Sequence, residues 1–137
     1  MTSIERKLSA YNDIVLLIAR ILIAILFLVA AYNKFSNLAG TTTYFGNLKF
    51  PAPHIVAPLV AALELAFGIL VLAGIKTRLT ALAIVVFVIL AALIAHLDWK
   101  AAGQLANFTK NLAIAGGCLA LFVTGAGIHS VDARKRW

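Results

Sequence analysis

The sequence predicts an all-α integral membrane protein built as an antiparallel four-helix bundle. Three observations predict it. The residues are 63% hydrophobic and only 12% charged, where a soluble domain averages about 25% charged. Apolar runs recur four times, each extendable to the ~20 residues that a ~30 Å hydrocarbon layer requires. Cations gather at the ends of those runs rather than along them. With a mean hydropathy of +0.99 and 137 residues, one transmembrane domain over 1–137 is what the length allows.

Composition also excludes several function classes. Twelve Lys and Arg against five Asp and Glu give a charge of +7, which in a soluble chain points to nucleic acid. Here topology and anionic lipid account for the cations, so the bilayer is the expected partner and nucleic acid is not. A single cysteine, Cys118, rules out an internal disulfide, a Cys-x-x-Cys pair and a cysteine metal site. His54, His96 and His129 are widely spaced, so no metal centre is expected. No nucleophile elbow or phosphate-binding glycine loop appears.

Met1 to Asn12 reads as a polar lead, with Asp13 placed to cap the first helix. That helix is expected over about 14–35 and reads as a retained span, because no Ala-x-Ala site follows its apolar core. Lys34, at its far end, can snorkel to the interface. Residues 36–53 read as a loop punctuated by Gly and Pro. Its aromatics Tyr44, Phe45 and Phe50, with Tyr32 and Phe35 before it, suit either the headgroup level or the mouth of a pocket. The second helix is expected over about 54–75, ending at Gly74 and the tight basic turn Lys76-Thr77-Arg78. The third is expected over about 79–97, and a second outer loop spans Asp98 to Gln104. The fourth needs to start near Leu105 to span, giving about 105–124. Gly116-Gly117 in it reads as close helix packing, and Gly125 and Gly127 end it.

Cation counting sets the orientation. Arg6, Lys7, Lys76, Arg78, Arg134, Lys135 and Arg136 fall on one side, and Lys34, Lys49, Lys100 and Lys110 on the other. The positive-inside rule puts both termini in the cytoplasm.

Polar residues inside this frame are the candidate site. A carboxylate at membrane depth costs roughly 2.5–3.5 kcal/mol on insertion scales, so Glu64 needs a partner. Arg20, early on the antiparallel first helix, is the expected one. That pair reads either as a register lock or as a polar anchor for a ligand. A second set lies at the outer ends: Asn33, Lys34, His96, Asn107, Lys110 and Asn111. The last three share a helix face by their i, i+3, i+4 spacing. His96 at that depth is able to titrate near neutral pH and to accept a hydrogen bond from Lys110 or an Asn amide.

The chain resembles the DoxX family of small four-helix membrane proteins. The pieces that carry the resemblance are Ile18-Ala19-Arg20, Phe27 through Asn33-Lys34-Phe35, and Phe50-Pro51-Ala52-Pro53. Leu63-Glu64-Leu65 with Gly68, Gly74 through Arg78, and Ala95-His96 follow. Asn107 through Asn111 and a Ser-Val-Asp132 ending complete the order. The resemblance implies a bundle in a bacterial cytoplasmic (inner) membrane. The family takes its name from subunits of a quinol oxidase and thiosulfate:quinone oxidoreductase system, so a quinone and membrane redox proteins are the implied company. The chain has neither paired intramembrane His ligands for haem nor multiple thiols. Any catalysis would therefore be that of a quinone-linked oxidoreductase subunit, not of this chain alone.

Two readings stay open at this point. One is a redox-accessory subunit that binds a quinone or similar amphipathic molecule between its helices, using Glu64, Arg20, His96, Asn33, Lys34, Asn107, Lys110 and Asn111. The other is a non-catalytic scaffold for partner proteins, or a homo-oligomer, in which those residues only lock the bundle. Small-solute transport is a third and weaker option.

Overall fold

A computed structural model describes residues 1–135. Arg136, counted above among the tail cations, and Trp137 lie outside the described residues. Seven helices and no strand occur among those described: α1 Ser3–Ser9, α2 Asn12–Ser36, α3 Leu38–Asn47, α4 Pro53–Ala73, α5 Thr77–Ala95, α6 Gln104–Thr124 and α7 Val131–Arg134. Four of them, α2, α4, α5 and α6, are long and apolar enough to cross a membrane. These are the four expected spans, with ends displaced by one or two residues.

Two segments differ from the sequence reading. The polar lead folds into α1, where Thr2 and Glu5 form a reciprocal capping box that satisfies two otherwise orphaned donors. The supposed loop contains α3. The Asn37 side chain accepts from the Gly40 N–H at 3.0 Å, and the Thr41, Thr42 and Thr43 hydroxyls donate to the carbonyls four residues back at 2.7–3.1 Å. Threonines that bond back into the helix conceal their own polarity.

α2 packs antiparallel along α4 and α5 along α6, while α3 leans on α4. Gly68 permits the first contact: a Cβ there would stand 2.7 Å from a Leu28 methyl. Gly116 and Gly117 do not serve this purpose, since a Cβ at either meets nothing within 4 Å. The close packing expected of them is therefore not made within this chain. The core combines small residues, the aliphatics Val71, Ile84, Val88 and Leu121, and phenylalanines. Phe27, Phe67 and Phe87 join α2, α4 and α5 with ring centroids 5.5–6.4 Å apart. Ala24, Ala81, Ala115 and Cys118 fill the space around them.

One end of the bundle is closed by the tail. The Asp132 carboxylate accepts from the N–H groups of Lys76 and Thr77 at 2.7 and 2.8 Å, capping α5 from 55 residues away. The Asp132 N–H donates to the Gly74 carbonyl. Asp13 does not cap its own helix. Its Oδ1 accepts instead from the Ile128 N–H at 3.0 Å, so the start of α2 is tied to the tail rather than to its own first turn.

Candidate functional site

Arg20 and Glu64 do not meet. Arg20 is fully buried, and its guanidinium donates to the carbonyls of Leu72 (2.8 Å), Val71 (3.4 Å) and His129. The reason is register. α4 stops at Ala73, and Arg20 stands level with that stop. The last carbonyls of a helix have no partner within it, and their partial negative charge favours a cation. Glu64 lies eight residues back from Leu72, roughly 12 Å at ~1.5 Å per residue. Arg20 is therefore a clamp on the tail end, apart from the other candidate residues.

Glu64 pairs with Lys34. The ammonium stands 2.9 Å from Oε2 and 3.1 Å from Oε1 and hydrogen-bonds to Oε1. Side-chain direction explains the choice. Helical side chains lean toward the N-terminus of their own helix. Lys34, at the end of α2, thus leans inward, and Glu64 on antiparallel α4 leans outward to meet it. Lys34 is only a quarter exposed, so it does not snorkel outward as the sequence reading has it.

Beside this pair, at the end of the bundle away from the tail, lies a pocket of about 370 Å³. Its walls are Leu26, Phe27, Phe87, Val88, Leu90 and Ile94, and its polar points are Lys34, Glu64, His96, Lys110 and Asn111. α3 supplies a side of it through Tyr44 and Phe45, and Phe50 follows in the next turn. Of the aromatics expected in this region, these three line the pocket, whereas Tyr32 and Phe35 are exposed and do not. A more polar recess of about 430 Å³ shares Lys34, Tyr44, His96 and Lys110 with it and adds Asn33, Asn37, Thr41 and Asn107. The structure thus brings seven of the eight candidate residues to these two recesses, which share lining residues, and leaves Arg20 outside them.

Several of these side chains already have partners. Asn111 donates from Nδ2 to the Val88 carbonyl at 3.2 Å, which pins α6 to α5. His96 Nδ1 lies 2.6 Å from Gln104 Oε1. With that amide orientation Nδ1 is the donor, which leaves Nε2 as an acceptor in the neutral ring. Gln104, Asn37 and Thr41 are missed by the sequence reading as site residues. Burial pushes the Tyr44 phenol above its ordinary range, so it remains a hydroxyl donor. No group of three or more His, Cys, Asp or Glu able to hold a metal occurs among the described residues.

The arrangement defines a class: a membrane-spanning four-helix bundle with an apolar pocket that is polar at one end. The chain belongs to the DoxX family, whose model matches residues 15–97. It is 39% identical to the Escherichia coli K12 inner membrane protein YqjF, over 92% of this chain and 97% of that one. It is 33% identical to inner membrane protein YphA of the same strain, over 91% and 93%. A third relative, the putative oxidoreductase CatD of Bacillus subtilis 168, is 36% identical over 46% of each chain. No solved structure matches the chain significantly. Four spans and these relatives make it a multi-pass protein of the bacterial cytoplasmic membrane.

Proposed function

We propose that this chain is a redox-accessory membrane subunit that binds a quinone or similar amphipathic molecule between its helices. The observation that carries the reading is the pocket: apolar walls at membrane depth, with Lys34, Glu64, His96, Lys110 and Asn111 gathered at one end. Small-molecule sites have this form, mostly apolar with a few placed polar groups, and volumes of about 300–1,000 Å³. Lys110 and the Lys34 ammonium are donors for a ring oxygen, and the aliphatic and phenyl walls suit a prenyl or alkyl tail. The name of the Bacillus relative, a putative oxidoreductase, lends the redox half of the reading its support.

The test is mass spectrometry of small molecules that copurify with the protein in mild detergent, beside Ala91→Phe. Ala91 lines the pocket, and a phenyl group there fills it. Quinone held by wild type and lost from a folded Ala91→Phe is the expected result. Folded wild type without bound quinone, and without binding of added decyl-quinone, overturns the reading.

One observation favours the scaffold reading. Gly116 and Gly117 open outward from α6, and small outward residues let a neighbouring helix approach closely. A protein partner recovered by crosslinking at that face, with no small molecule bound, would favour it.

A further inference from the structure

The charges around the pocket do not balance. The pocket and its polar recess are lined by two lysines, Lys34 and Lys110, and by one acid, Glu64. Lys34 is committed to Glu64. Lys110 attracts the Glu64 carboxylate through space, yet no ion pair within 4.0 Å joins it to any described residue. The rim therefore carries one positive charge in excess, next to walls of low dielectric where a charge acts at greater range. Neutral donors flank it: the Tyr44 phenol and the Asn107 amide line the same recess. A neutral head satisfies such donors but forms no ion pair with the exposed Lys110 ammonium. A carboxylate satisfies both, through hydrogen bonds strengthened by charge.

The apolar half indicates the rest of the molecule. Leu90 and Ile94 line the pocket and are each about half exposed, at 52% and 51%, on a helix long and apolar enough to cross a membrane. The slot thus adjoins the surface that faces hydrocarbon, where an acyl chain resides. We propose that the pocket takes a single-chain amphipath with a carboxylate head, the head on Lys110 and the chain along Leu90 and Ile94. This inference rests on the pocket being a ligand site, as proposed above.

The test uses two probes with the same tail, dodecanoate and dodecanol, with decyl-quinone as a third, titrated into protein in a neutral detergent at about pH 8, where the carboxylate is ionised. Dodecanoate is expected to bind about tenfold more tightly than dodecanol, the worth of one charged hydrogen bond. Lys110→Gln, at an exposed position, is expected to abolish that difference without moving the melting temperature. Lys100→Gln, at a lysine that lines neither cavity, is expected to preserve it. Equal binding of acid and alcohol overturns the inference and leaves the pocket reading standing. Equal loss in both lysine variants assigns the preference to general surface charge and also overturns it. Binding of none of the three probes overturns the pocket reading itself.

Discussion

Lys34 and Glu64 face each other across α2 and α4 with the ammonium 2.9 Å from the carboxylate. Removing one partner strands the other in a largely buried setting. Glu64→Gln is expected to destabilise the folded protein by about 1–3 kcal/mol, reduced from the fully buried case because Lys34 is a quarter exposed. The double variant Lys34→Met/Glu64→Gln should recover part of that loss. Unfolding in mixed micelles measures both, and additive losses would mean that the pair is not coupled.

Arg20 should prove the more demanding position. Arg20→Met leaves the carbonyls of Val71, Leu72 and His129 without their donor. The expected consequence is release of the tail, read as faster proteolysis after residue 124 while the four spans persist. Arg20→Lys should rescue only partly, because a single ammonium does not reproduce the planar fork that reaches both α4 and the tail. A tail equally protected in Arg20→Met would show that Asp13 and Asp132 hold it alone.

The glycines separate cleanly. Gly68→Ala places a methyl 2.7 Å from Leu28 Cδ2 and 3.3 Å from its backbone nitrogen, so the Leu28 side chain must move and α2 must give by a few tenths of an ångström. A loss of about 1–3 kcal/mol is expected, as for other overpacked cores. Gly116→Ala and Gly117→Ala meet no neighbour and should be neutral or stabilising by up to ~1 kcal/mol through helix propensity. Thermal melts of the three variants distinguish the sites. Loss at Gly116 or Gly117 would reveal an interface with another chain.

Cys118 is fully buried in the core, and a thiol without access does not react. A membrane-permeant maleimide should leave the folded protein unlabelled and modify it only as it unfolds. Rapid labelling of native protein would show that α5 and α6 part from the core more readily than their packing implies.

The four spans were legible because burial in lipid is a property of long runs, and 63% hydrophobic residues leave few alternatives. Most of the pocket residues were legible for a related reason: a polar group among apolar ones is conspicuous. Pairing was not. The choice of Lys34 over Arg20 for Glu64 depends on which way each side chain leans and on where α4 stops, and neither is written in residue type. Gln104 was hidden because its partner, His96, lies eight residues away across a turn. Asp132 and Asp13 were hidden because theirs lie 55 and 115 residues away. α1 and α3 did leave local traces: Thr2 with Glu5 is a capping box, and Asn37 precedes a segment whose threonines bond to their own helix.

The position of Arg20 also bears on the order in which the protein is made. It enters the bilayer with the first span, but the carbonyls that hold it are synthesised 51, 52 and 109 residues later. At ~5–20 residues per second the last of them follows by roughly 5–20 s. During that interval the nascent chain carries a charge near one end of its first span, where a long side chain can reach the interface but has none of the carbonyls that later hold it. Closure of the tail over Arg20 therefore marks the moment when synthesis has passed His129, and an interrupted chain would present that charge to the proteases and insertases that survey the membrane.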